Sequence, residues 1–225
     1  MVLFIAGHGT YERSAGGIFY YLLPDSEQDQ LATTAISFEE IEGLLYGLRS
    51  RRKLFLMDTC ESGELAGERE LARFESALAA GILPRTIAPS SNAATANNDT
   101  PSPARWLRQR DRFIYADIAR RSGAIVLSSS MPNETSAEAG YLGNGLFTEG
   151  LLNALTDPGL DPSGDGWVSV TELFEATYAF VTRESDLDDG DGPGQHPVID
   201  RGNLQIDVRL PLLPESERQR FRFGD

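Results

Sequence analysis

Cysteine is almost absent from this 225-residue chain, where Cys60 is the only one. No intramolecular disulfide and no multi-cysteine zinc site can form, and a lone thiol suits a reducing compartment, so a cytoplasmic location is expected. Histidine is nearly as scarce, with His8 and His196 alone, and Lys53 is the single lysine. Positive charge is short altogether: 20 Lys and Arg face 34 Asp and Glu, for a formal net charge of −14. Such a balance repels nucleic-acid backbones and anionic lipid, which argues against both as partners and leaves basic peptides or a divalent cation. Long hydrophobic runs are missing too. The opening MVLFIAGHGT lacks a basic n-region, and its apolar run is too short for a signal peptide or a membrane span.

What remains is the composition of an ordinary globular protein, with 40% hydrophobic, 9% aromatic and 24% charged residues. The length fits one α/β domain, expected over residues 1–213 with a charged tail at 214–225. Val2 to Ala6 is too short for a helix and reads as a buried parallel strand that ends at Gly7-His8-Gly9. After a polar, Gly-containing connection, Ser37-Phe38-Glu39-Glu40 forms a capping box that opens a helix carrying Ile41, Leu44, Leu45 and Leu48. Lys53 to Asp58 is a second strand, running into Thr59-Cys60-Glu61-Ser62-Gly63. A strand, a helix and a strand with a short return predict a right-handed βαβ unit with parallel strands. His8 and Cys60 then share the carboxyl edge of the sheet, where open α/β folds place ligands.

Further along, residues 64–80 read as a helix, 84–105 as a loop rich in Pro, Ser, Asn and Thr, and 110–122 as a helix leading to a third strand at 124–128. A helix built on Phe147, Leu151, Leu152 and Leu155 precedes an acidic stretch. Residues 157–200 hold 11 acidic residues against Arg183 alone, which is −10 of the total. Inside that stretch Ser169 and Glu172 cap another helix carrying Leu173, Ala176, Phe180 and Val181. The alternation of Leu204, Ile206, Val208 and Leu210 predicts a final edge strand.

A thiolate nucleophile needs an imidazole to accept its proton, and glycines flanking His8 let backbone approach a substrate carbonyl. The competing reading makes Cys60 a buried small hydrophobe and GHG a tight turn. Spacing favours chemistry, since His8 precedes Cys60 by 52 residues and the caspase signature places its histidine about 50 residues upstream of the cysteine. Neither Ser62 nor Ser130 sits in a G-x-S-x-G elbow, which argues against a serine hydrolase.

With FIAGHG, FLMDTCESG, and a C-terminal group of IVLSSS, GLFTEGLLNAL, DGWVSVTEL and QHPVI in that order, the chain resembles the caspase-like cysteine peptidases. It is more similar to metacaspases and their bacterial relatives than to animal caspases. The resemblance implies a three-layer α/β/α sandwich around a mostly parallel sheet. By the same comparison the family's first strand lies upstream of the histidine block, so the chain is expected to begin partway through its sheet. It implies Cys60 as nucleophile, His8 as general acid and base, and an oxyanion hole from the Gly9 and Cys60 N–H groups, with no third catalytic acid and no cofactor for the chemistry. Asp58 stands where metacaspases carry the acid that binds Arg or Lys at P1, and the competing role for it is a helix or loop cap. Glu61 replaces the usual histidine after the nucleophile. That departure and the missing strands motivate an alternative, a catalytically silent interaction module. Basic residues Arg85, Arg105 and Arg108 are candidate self-processing sites.

The acidic stretch, an EF-like insertion on this reading, contains Asp161, Ser163, Asp165, Gly166, Trp167, Ser169 and Glu172 at the spacing of a 12-residue EF-hand loop. Calcium is therefore a candidate ligand through Asp161, Ser163, Asp165, Trp167, Ser169 and Glu172, and the competing reading is an acidic turn that caps a helix.

Overall fold

The computed structural model describes residues 1–12, 18–59, 82–84, 118–131, 134, 136–139, 143–185, 194–203, 205–214 and 216–217. The apolar runs become one four-stranded sheet. Strands β1 (Val2–Gly7), β5 (Lys53–Thr59) and β7 (Ala124–Ser128) are parallel, and β10 (Val198–Arg201) pairs antiparallel with β7, in the order β1-β5-β7-β10. All seven residues of β5 are buried. A parallel strand covered on both faces has no polar side to show, which is why this segment reads as a run and not an alternation.

One face is covered by α3 (Leu146–Thr156) and α4 (Val170–Ser185), whose Leu146, Phe147, Leu151, Leu173 and Val181 pack on Leu54, Leu56, Ile125 and Leu127. The other face receives α2 (Phe38–Gly47) and helical residues 118–122, with Ile41, Leu45 and Ile118 against Phe55, Met57 and Val126. The result is an α/β/α sandwich. Helix α2 starts where expected: Ser37 Oγ accepts from the Glu40 N–H at 3.2 Å, and the Glu40 carboxylate accepts from the Ser37 N–H at 2.8 Å. Leu44 departs from the expected apolar face and is half exposed. Capping likewise opens α4, where Ser169 and Glu172 exchange bonds of 2.8 and 3.1 Å.

Three sequence expectations change. β1 is parallel as expected but is the outer strand of the described sheet and not fully buried: Val2 and Phe4 are 48% and 45% exposed, while Leu3 and Ile5 pack inward. The connection from β1 to α2 is a small antiparallel sheet, β2 (Gly9–Glu12), β3 (Ile18–Tyr21) and β4 (Ile36–Ser37), with short α1 (Leu31–Thr34) before β4. The buried aromatic run Phe19-Tyr20-Tyr21 drives that pairing. Finally, the edge strand expected from the 204–210 alternation is shorter, and it belongs to a separate two-stranded sheet; Leu204 lies outside the described residues. An Asx turn at Asn203, whose Oδ1 accepts from the Gln205 N–H at 2.9 Å, starts this stretch, and among the described residues its strand is β11 (Arg209–Pro211), antiparallel to β9 (Trp167–Ser169). Two further short strands, β6 (Ile82–Pro84) and β8 (Ala137–Ala139), pair with each other. No helix among the described residues is long and apolar enough to cross a membrane.

Candidate active site

Register sets the site. Ala6 lies opposite Asp58 and Gly7 opposite Thr59 on neighbouring parallel strands, and His8 and Cys60 are the residues that follow these strands in sequence. Residues 60–81 and 85–117 lie outside the described residues, and with them Cys60, Glu61, Arg85, Arg105, Arg108 and the helix and loop expected there. Consecutive Cα atoms are ~3.8 Å apart, so chain connectivity ties Cys60 to the end of β5.

His8 is exposed at the end of β1, and its carbonyl accepts from the Leu22 N–H at 2.9 Å, which ties it to the β2–β3 hairpin. Gly7 takes a φ of +149°, a conformation that side chains disfavour. Gly9 lies flat on the Phe19 ring, and a β-carbon there would collide with it. Phe19 cannot yield easily: it is buried, edge-on to Tyr21 at 5.1 Å, and the Tyr21 hydroxyl donates to Met57 Sδ at 3.0 Å. The backbone around His8 is thereby braced against β5. His196 is held elsewhere, with its Nδ1 2.8 Å from Glu134 Oε1 and its N–H donating to Glu134 Oε2 at 2.8 Å.

Asp58 is fully buried. Helix α3 has Gly145 at its N-cap and no side-chain cap of its own, and Asp58 supplies one from β5: the Thr148 N–H donates to Oδ2 at 3.2 Å, joined by the Thr148 hydroxyl. On the other oxygen the Ser136 hydroxyl donates to Oδ1 at 3.2 Å. Ser136 in turn accepts from Gln195 Nε2 at 3.3 Å. Ser129 clamps the strand on either side of Asp58, its N–H donating to the Met57 carbonyl at 2.9 Å and its hydroxyl to the Thr59 carbonyl at 3.1 Å. Thr59 Oγ1 is buried with no hydrogen-bond partner among the described residues. Gln195, Ser136 and Thr148 escaped the sequence reading. Only the QHPVI block hinted at the first, and nothing local marks a glutamine that ends fully buried.

The acidic loop follows α3 at the end away from Asp58, about 16 Å along the helix at 1.5 Å per residue. Asp161 accepts from Ser163 Oγ at 2.8 Å, the Gly164 N–H at 2.8 Å and the Gly166 N–H at 2.6 Å, and the Ser163 hydroxyl holds its pKa below the ordinary value. Asp165 is lowered chiefly by Arg209, whose Nη2 donates to Oδ1 and Oδ2 at 3.0 and 2.7 Å. Glu172 is lowered by its bond from the Ser169 N–H. The hard oxygen donors are of the right type for calcium, but among the described residues no three His, Cys, Asp or Glu side chains gather as a metal shell. As the loop stands, the Arg209 guanidinium pairs with Asp165, so a cation at that carboxylate would compete with it. Trp167 points its half-exposed ring outward.

No curated protein matches the chain. The family model described as the caspase domain matches residues 1–208. The sheet with helices on both faces, and a histidine and cysteine succeeding paired positions at one edge, have their explanation there: the chain belongs to the caspase-domain family of cysteine-type peptidases.

Proposed function

We propose that this peptidase cleaves its protein substrates after an Arg or Lys residue, with Cys60 as nucleophile and His8 as general acid and base. The observation that carries the reading is the pairing of Gly7 with Thr59 on adjacent parallel strands, ~4.8 Å apart, the two positions that His8 and Cys60 follow in sequence. The Cys60 thiolate attacks the scissile carbonyl, the C–N bond breaks, and His8 gives its proton to the leaving amine. Water then attacks the thioester while His8 takes its proton, the C–S bond breaks, and the thiolate returns. The Gly9 and Cys60 N–H groups stabilise the oxyanion, a role supported by the tight seating of Gly9 on Phe19.

Basic P1 preference rests on Asp58, two residues before the nucleophile. Its charge lies in a buried setting, where a carboxylate favours a cation over several ångströms more strongly than in water. A lone thiol supports a reducing, cytoplasmic setting. Self-processing after Arg85, Arg105 or Arg108 belongs to the same reading, and calcium stimulation would act through the acidic loop only by displacing Arg209. Fluorogenic peptides with Arg, Lys or Asp at P1 test it. Turnover of the basic substrates should fall about a thousandfold or more in Cys60→Ala and in His8→Ala. Turnover that survives both substitutions would exclude the thiol mechanism, and a preference for Asp would remove the Asp58 role.

A further inference from the structure

We infer that Gln195 is a positioning residue for P1 selection, acting through Ser136 on Asp58, a step that rests on the reading of Asp58 above. Its side chain is fully buried, so every polar atom of the carboxamide requires a partner. Oε1 accepts from the Ala137 N–H at 2.9 Å and Nε2 donates to the Ser129 carbonyl at 2.8 Å. These two backbone groups have opposite polarity, so the orientation of the amide is dictated and cannot be flipped. The remaining Nε2 proton points to Ser136 Oγ at 3.3 Å, which commits the serine hydroxyl to accept there and donate to Asp58 Oδ1 at 3.2 Å. Amide, hydroxyl and carboxylate form a one-way chain of donors, an arrangement in which each bond strengthens the next.

A second route reaches the same place. Ser129, whose carbonyl Gln195 holds, is the residue that grips the Met57 and Thr59 carbonyls on either side of Asp58. The glutamine is itself anchored, with its N–H donating to Ser185 Oγ at 2.9 Å at the last residue of α4. It therefore joins α4, β8 and the segment after β7 to the end of β5. Thr148 holds the other Asp58 oxygen independently of it. Helix α3 thus holds one carboxylate oxygen, and the Gln195–Ser136 pair donates to the other.

The test uses two peptides that differ only in Arg or the neutral isostere citrulline at P1, and reads the ratio of their kcat/KM values. Gln195→Glu keeps the shape and replaces the Nε2 donor by an acceptor. The ratio should fall about tenfold or more, the loss appearing mainly as a raised KM for the Arg peptide, since a hydrogen bond to a charged group is at stake. Ser136→Ala leaves both backbone bonds of Gln195 in place and should lower the ratio likewise, which covers the case in which the glutamate variant fails to fold. A purely structural role reduces the active fraction and so scales both substrates equally. An unchanged ratio in Ser136→Ala, when Asp58→Asn abolishes the preference, overturns the inference alone. A wild-type enzyme that does not favour Arg, or turns over neither peptide, overturns the reading of Asp58 and the inference with it.

Discussion

Lys53 carries its charge into the core at the start of β5 and is only 5% exposed. Its Nζ donates to the Leu45 carbonyl at 2.7 Å and the Ser122 carbonyl at 2.9 Å, each in the last turn of a helix where carbonyls point outward unpaired. One ammonium thus finishes two helices that pack on the same face of the sheet. Lys53→Met keeps the stem and strands two buried acceptors, so stability should drop by about 2–4 kcal/mol, measured by thermal or urea unfolding. With a single lysine in the chain, an amine-reactive reagent should add once to the native protein, at the α-amino group, and twice after unfolding, as read by intact mass. Two rapid additions to the native protein would contradict the burial. The sequence shows that lysine is rare here but not that it is internal, because its partners are carbonyls 8 and 69 residues away. Ser37 and Glu40 are the opposite case: their bonds close over 3 residues, and the capping box was legible at once.

Helix α3 joins the two acidic features of the molecule. Its first turn is capped by Asp58 from a distant strand, and its last residue leads into the loop that Arg209 closes. Arg209 belongs to β11, so its bond to Asp165 ties β11 to the loop that precedes β9, beyond the backbone pairing of the two strands. The EF-like spacing was readable, and so was the glycine at its sixth position, Gly166, which adopts positive φ. The competitor for the site was not, because Arg209 lies 44 residues from Asp165. Calcium titration by calorimetry should show weak binding at most in the wild type. Arg209→Gln should tighten it about threefold to tenfold, in keeping with the small worth of an exposed ion pair. Equal affinity in the two proteins would show that the guanidinium does not compete.

At the scale of the whole molecule, acid sensitivity follows from how the carboxylates are held. Glu40, Asp161, Asp165 and Glu172 are lowered below ordinary values of 4.5 for Glu and 3.8 for Asp, chiefly by bonds from Ser37, Ser163, Arg209 and Ser169. Lowered groups contribute stability that is present above those values and is lost as pH falls through the folded pKa, and their exposure keeps each contribution small. Asp200 on β10 has the opposite sign: burial raises it, with Arg120 partly offsetting. Its contribution is favourable below 3.8 and lost as pH rises, so ionised Asp200 works against the fold at neutral pH. Asp200→Asn should raise Tm at pH 7, and the gain should vanish near pH 3; a gain independent of pH would rule out this cause. The sequence by itself determined the strands β1, β5 and β7, the helices that cover them, and the order of His8 and Cys60, since these depend on short apolar runs and on caps that close within a turn. Tertiary structure alone decided that β1 lies at the edge of the described sheet, that β10 completes it, and that Asp58 both caps α3 and meets Ser136 and, through it, Gln195. Those side-chain contacts span 59 to 90 residues, and hydrogen bonds between side chains so far apart leave no periodic trace in the chain.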